Sequence, residues 1–251
     1  MSTALPAARP KATAMRTTLA LLAALSPALT LANNAACSAR SGPAAPTVVE
    51  LYTSEGCSSC PPADQWLSTL RGRTDVLPLA FHVTYWDRLG WPDRFGDATY
   101  TARQHELARQ AGRAQVYTPQ VVANGQDWRR WPQLPAPAAG PAPALTLERQ
   151  GETVRVQVAA VPGSAARWAG YWAVLEDQHQ SRVSAGENSG RLLQHDHVVR
   201  LYQPVPAWGA AAGLQASLAV SRGDPRHPRR VAFVLTEANN ARPLQALALG
   251  C

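Results

Sequence analysis

Three features predict an α/β domain followed by a smaller all-β, sandwich-like domain. A strand–helix–strand pattern occupies "TVVELYT", "ADQWLSTLRGR" and "VLPLAFHVTYW" in quick succession. A proline-rich segment, "PQLPAPAAGPAPA", then interrupts the chain at residues 132–144. Beyond it come short strand-like runs with turn signals between them and no amphipathic helix.

Taken in order, residues 1–36 hold no acidic residue and pass from Arg9, Lys11 and Arg16 into an apolar stretch that ends in small residues. That layout predicts a signal peptide and cleavage region, with export to the periplasm or beyond the cell. Its apolar run is too short for a membrane span, so no stable span is expected after cleavage. Loss of the three positive charges lowers the net charge from +7 to +4 and leaves no lysine. Scattered arginines without a basic run argue against nucleic acid as a partner.

Residues 47–131 read as the α/β domain. Its first strand is β-branched and apolar and stops at Ser54-Glu55-Gly56. Trp66, Leu67 and Leu70 follow at helical spacing, and Gly72 ends that helix. A second strand with the same sense makes a parallel pair with a right-handed crossover. "YTARQHELARQAG" predicts another helix, and Asn124-Gly125 turns a hairpin within "QVVANGQDW". The linker at 132–144 is too rich in proline for helix or paired strand, and 145–251 is the expected all-β domain.

Between the first strand and helix stand Cys57 and Cys60. A strand, a short loop, Cys-x-x-Cys and a helix describe the active-site corner of the thioredoxin fold, so the α/β domain is expected to be thioredoxin-like. A helix N-terminus favours a thiolate, and a second cysteine three residues on can resolve a mixed disulfide. Cys57 is the expected nucleophile and Cys60 the resolving thiol. Pro61 and Pro62 place the start of the regular helix just after the pair. Thr118-Pro119 stands where such folds carry a cis proline that presents backbone to substrate, and Trp86 could line a groove beside it. Glu50, on the strand leading to the cysteines, is a candidate proton relay. Cys37 and Cys251, near the two ends of the exported chain, are a candidate structural disulfide.

The runs "VELYTSEGCSSCPPAD", "AFHVTYWDRLGWPDRF" and "YTPQVVANG", with the later "SAGENSGRLLQHDHVVR" and "VAFVLTEA", resemble a family of secreted bacterial proteins of unknown function, DUF1223. The resemblance covers most of the exported chain. It implies a thioredoxin-like fold and thiol–disulfide oxidoreductase activity, with Cys57 and Cys60 in the redox positions and Pro119 in the cis-proline position. Thr84 stands where the family usually carries an acidic residue.

The expected function is therefore exchange of disulfides with protein or small-molecule thiols, without a cofactor. Two alternatives stay open. In one, Cys57 and Cys60 bind copper for delivery to a periplasmic partner, with His82 a possible further ligand. In the other, the pair is a permanent disulfide in a non-catalytic interaction protein. His195 and His197, two apart on a predicted strand, are expected on one face, without a third ligand to make a metal site. The sequence assigns no metal and no oligomeric state.

Overall fold

The computed structural model describes residues 1–5, 37–138 and 140–251, so most of the expected signal segment, residues 6–36, lies outside the described residues. The described residues from Cys37 onward form one compact unit. No helix among the described residues is long and apolar enough to cross a membrane.

After the short strand β1 (Cys37–Arg40), the chain enters β2 (Thr47–Thr53), whose seven residues are all buried. Helix α1 (Pro61–Ser68) crosses over to β3 (Val76–His82), which runs parallel to β2 from Thr47 opposite Val76 to Thr53 opposite His82. Both faces of these strands are covered, which is why their sequences show apolar runs rather than alternation. Val49 and Leu51 pack against Ala63, Trp66 and Leu67 of α1. On the opposite face, Val48 and Tyr52 share a core with Phe81 and with Tyr100 and Leu107 of helix α2 (Ala98–Gln110). The Asp97 side chain caps α2 by accepting a hydrogen bond from the Thr99 N–H at 2.7 Å. Strands β4 (Gln120–Ala123) and β5 (Gln126–Asp127) form a hairpin, with Asn124 and Gly125 both at positive φ as the two-residue turn requires.

The remaining elements are strands, apart from one 3-10 turn at Ala210–Ala212. In order come β6 (Leu145–Gln150), β7 (Thr153–Val158), β8 (Arg167–Glu176), β9 (His179–Arg182) and β10 (Leu192–His195). They are followed by β11 (Val198–Gly209), β12 (Leu214–Ala219), β13 (Arg229–Glu237) and β14 (Pro243–Leu249). The strands assemble into one eight-stranded sheet, β14-β13-β8-β11-β3-β2-β4-β5, one four-stranded sheet, β1-β6-β7-β12, and the pair β10-β9.

This arrangement corrects the expected fold class. The described chain is mostly strand with two α-helices, and it is not an α/β thioredoxin-like domain followed by a smaller all-β domain. The physical reason lies at the edge of β3. An uncovered strand edge presents unpaired N–H and C=O groups, and here β11 takes it up. Val198 lies opposite Ala80 in parallel, and the Ala80 N–H donates to the His197 carbonyl at 2.8 Å. Strands from both expected domains thereby share one sheet. Its β8–β13–β14 end packs on the four-stranded sheet, with Trp172, Phe233 and Leu235 against Leu145, Leu147 and Val156. At Gly170 in β8 a Cβ would sit 2.7 Å from the Phe233 ring of β13, so only glycine lets these two strands pair with that ring between them. Cys37 of β1 is bonded to Cys251, a separation of 214 residues. In the chain-entropy model, closing a loop that long is worth about 5 kcal/mol.

A buried charge cluster holds the seam between the two halves. Glu50 of β2 accepts hydrogen bonds from Arg103 of α2 at 2.5 Å, from Tyr171 of β8 at 2.8 Å and from Tyr52 at 2.8 Å. The Arg103 guanidinium lies 4.4 Å from the Tyr171 ring centre and donates to the Tyr202 hydroxyl of β11 at 2.9 Å. Burial, and then the Glu50 charge, push the Tyr52 and Tyr171 hydroxyls well above the ordinary phenol range, so both remain donors. Replacing one member of such a pair strands the other charge. Arg103→Met is expected to lower stability by about 3–5 kcal/mol in urea unfolding, while Glu50→Gln with Arg103→Met recovers much of that loss.

Candidate functional site

The corner between β2 and α1 is built by backbone turns. The Cys57 N–H donates to the Ser54 carbonyl at 3.1 Å and the Cys60 N–H to the Cys57 carbonyl at 3.2 Å. Cys60 is the N-cap of α1, and its carbonyl accepts from the Ala63 and Asp64 N–H groups. Cys57 and Cys60 are bonded to each other, with their Cα atoms 5.4 Å apart. Pro61 and Pro62 have no N–H, so the first turn of the helix offers the sulfurs no backbone donor from those positions. The polar neighbour of Cys57 Sγ is Ser59 Oγ at 3.5 Å. Both cysteines are fully buried, whereas Ser58 and Ser59 between them are exposed.

Some of the sequence-predicted residues gather here. A Cβ on Gly56 would lie 3.0 Å from Trp86 Cβ, so Trp86 packs directly on the turn before Cys57. Its indole N–H donates to Thr118 Oγ1 at 2.7 Å, and the Thr118–Pro119 peptide bond is cis. Glu50 is elsewhere. It lies on the α2 face of β2, engaged with Arg103 and Tyr171, while Cys60 leads into α1 on the other face. Cys37 and Cys251 are paired with each other, beside the four-stranded sheet.

The structure adds a cover from the segment between β9 and β10. In "GENSG", Asn188 is fully buried, and its amide donates to the Glu55 and Cys57 carbonyls, both at 2.9 Å. Glu187 Oε2 accepts the Ser58 N–H at 3.0 Å. Gly186 and Gly190, both at positive φ, let this segment turn back over the cysteines between β9 and β10.

Behind the corner lies a buried set of carboxylates and histidines. Asp64, on the otherwise apolar face of α1, accepts the Thr53 hydroxyl through Oδ2 at 2.9 Å. Its Oδ1 is 3.8 Å from His195 Nδ1, and Glu55 Oε1 is 3.5 Å from His195 Nε2. The other oxygen of Glu55 accepts the Trp91 indole N–H at 2.7 Å. His82 Nδ1 is 2.7 Å from Asp93 Oδ2, and Asp93 also accepts the Glu55 and Phe95 N–H groups. Phe95 packs edgewise on both imidazoles, whose centres are 5.0 Å apart. A cavity of about 300 Å³ reaches Asp64 and His195 past Pro61, Gln65 and Arg191.

Burial alone would discharge His195, but the Asp64 and Glu55 carboxylates that face its two ring nitrogens outweigh it and push its pKa up to about 10. Burial would likewise raise Asp93, yet the charge and hydrogen bond of His82 and two backbone N–H groups hold it down to about 2. His195 and His197 do not share a surface. The strand ends at His195, and His197 takes a positive φ of 59°, which turns it toward Arg230 and Asp177. Its pKa falls to about 4 through burial and the nearby Arg230 charge. The convergence of Glu55, Asp64, His82, Asp93 and His195 was not anticipated. Its faint signal was acidic residues, Glu55 and Asp64, within a stretch otherwise destined for burial.

Removing Asn188 tests the cover. Asn188→Ala leaves the buried Glu55 carbonyl unpaired and the Cys57 carbonyl with the Cys60 N–H alone, at a cost of about 1–3 kcal/mol. It is expected to speed reduction of the Cys57–Cys60 disulfide by dithiothreitol, read by alkylation and gel shift. An unchanged rate would mean that this segment does not limit access.

Among solved structures, the chain is similar to protein AGR_C_4864 from Agrobacterium tumefaciens, at 26% identity and a TM-score of 0.61, over 83% of this chain and 96% of that one. HBP35 of Porphyromonas gingivalis matches in fold alone, at 13% identity and a TM-score of 0.51, over 82% of this chain and 75% of that one. No curated protein matches. The model of the family described as protein of unknown function (DUF1223) matches residues 48–236, which contain the cysteine corner, its cover and the buried cluster, and the chain belongs to that family.

Proposed function

We propose that this protein is an exported thiol–disulfide oxidoreductase acting through Cys57 and Cys60. The observation that carries the reading is the Cys57–Cys60 disulfide at the lead-in to α1, with Trp86 packed on the turn before it and bonded to Thr118. In the reduced protein, the Cys57 thiolate attacks one sulfur of a partner disulfide, and the partner's other sulfur leaves as a thiolate. The Cys60 thiolate then attacks Cys57 in the mixed disulfide, re-forming the Cys57–Cys60 bond and releasing the second partner thiol. Two electrons pass from the pair to the partner, and the relative potentials set the direction. No cofactor takes part.

Both sulfurs are buried in the oxidised protein, so exchange requires the Gly186–Gly190 segment to shift off Ser58 and Cys57. In this reading Trp86, Thr118 and Pro119 meet a partner chain there, which the packing of Trp86 against Gly56 and its bond to Thr118 support. Glu50 has no part in this scheme, because its carboxylate is committed to Arg103 and two tyrosines. Export is supported by the signal-like residues 1–36 and by the Cys37–Cys251 bond, which suits an oxidising compartment. The burial of both sulfurs favours a second reading, a permanent staple between β2 and α1.

One set of measurements separates the two. An oxidoreductase reduces insulin disulfides in the presence of dithiothreitol, loses that activity in Cys57→Ser and traps mixed disulfides in Cys60→Ser. A staple does none of these and has a reduction potential below about −300 mV.

A further inference from the structure

The buried cluster behind the corner has donor atoms that its own contacts leave unused. His82 Nε2 and both ring nitrogens of His195 have no hydrogen-bond partner among the described residues, although both histidines are at least 98% buried, at 0% and 2% exposure. One donor atom each from Asp64, His82 and His195 lies within 4.8 Å of the other two. Burying imidazole nitrogens without partners is costly, and such groups call for an explanation.

The remaining atoms of these side chains are held from behind. Asp93 engages His82 on Nδ1, which leaves Nε2 free. Glu55 faces His195 at Nε2, which leaves Nδ1 toward Asp64. Thr53 engages Asp64 on Oδ2, which leaves Oδ1 free. Hydrogen bonds of this kind orient metal ligands, and Asp93 and Thr53 supply them for His82 and Asp64, while the Glu55 carboxylate stands 3.5 Å from His195 Nε2. Charge points the same way. Glu55, Asp64 and Asp93 are three carboxylates at 0%, 6% and 5% exposure, and their ion-pair partners among the described residues are the two histidines alone.

We propose that Asp64, His82 and His195 form a binding site for a divalent transition-metal ion of the zinc type. Two imidazole nitrogens and one carboxylate oxygen suit such an ion, with an open fourth position toward the cavity beside Asp64 and His195. Metal–ligand bonds of about 2.0–2.1 Å place tetrahedral donors roughly 3.3 Å apart. The side chains therefore close inward on the ion from their present spacing of up to 4.8 Å. The site uses no sulfur and does not depend on the redox reading.

The test uses the full chain with its disulfides intact, stripped by a chelator and titrated with Zn²⁺ by calorimetry. Saturable binding of one ion per chain is expected, undiminished in Cys57→Ser/Cys60→Ser and lost in His195→Gln and in His82→Gln. Asp93→Asn, which loosens the grip on His82, is expected to weaken binding on the order of 10–100-fold. Because buried substitutions can unfold a chain, the wild-type protein supplies a second readout. Zinc-edge X-ray absorption is expected to show nitrogen and oxygen neighbours, including imidazole, and no sulfur. A sulfur neighbour, no saturable binding, or binding untouched by folded His82→Gln and His195→Gln chains would overturn the proposal. Loss of insulin reduction in Cys57→Ser with metal binding intact separates this site from the oxidoreductase reading.

Discussion

The pairing of Glu50 with Arg103 is the constraint around which the molecule is arranged. A carboxylate and a guanidinium, each about one-tenth exposed or less, meet where β2, α2, β8 and β11 converge. Neither charge tolerates that depth alone, so the two, with the tyrosine hydroxyls that complete their hydrogen bonds, specify one arrangement of these elements. The backbone link between the halves is slender by comparison, with Val198 opposite Ala80 as the aligned pair. The cation stacked on Tyr171 and Tyr202 makes that narrow junction part of a packed core.

With the seam held there, the two faces of β2 take separate tasks. Alternate residues point to opposite sides of a strand. Val48, Glu50 and Tyr52 face α2 and the charge cluster, while Val49, Leu51 and Thr53 face α1. The cysteines lie beyond the end of β2, so the site is anchored by the strand without sharing the polar groups on its α2 side. The second half then completes the site. Asn188 and Glu187 cover the cysteine turn, and His195 closes the carboxylate cluster from β10. A separate second domain would supply neither group in a fixed position.

The cysteine corner and the histidine–carboxylate cluster are neighbours through covalent structure. Asp64 is four residues after Cys60 on α1, Glu55 is two before Cys57, and Thr53 ends β2. Movement of the cover over one therefore touches the other, since Asn188 holds the Glu55 carbonyl as well as that of Cys57. This common framework gives the cysteine pair and the unused imidazole nitrogens a single structural context.

What the sequence determined by itself was local. The β2–α1–β3 run, the helix beginning at Pro61 and the hairpin at Asn124-Gly125 follow from apolar runs, proline's fixed φ and glycine's freedom at positive φ, which act within a few residues. The cysteine pair was legible for the same reason, being three residues apart. Only the tertiary structure decided which strand joins the open edge of β3, which partner neutralises Glu50, and that His195 meets Asp64 and Glu55 while His197 turns away. Those outcomes depend on pairing and charge burial between residues as far apart as Glu50 and Tyr171, where no local pattern records the partner. Strand periodicity placed His195 and His197 on one face, and the left-handed backbone of His197, two residues past the end of β10, reversed it.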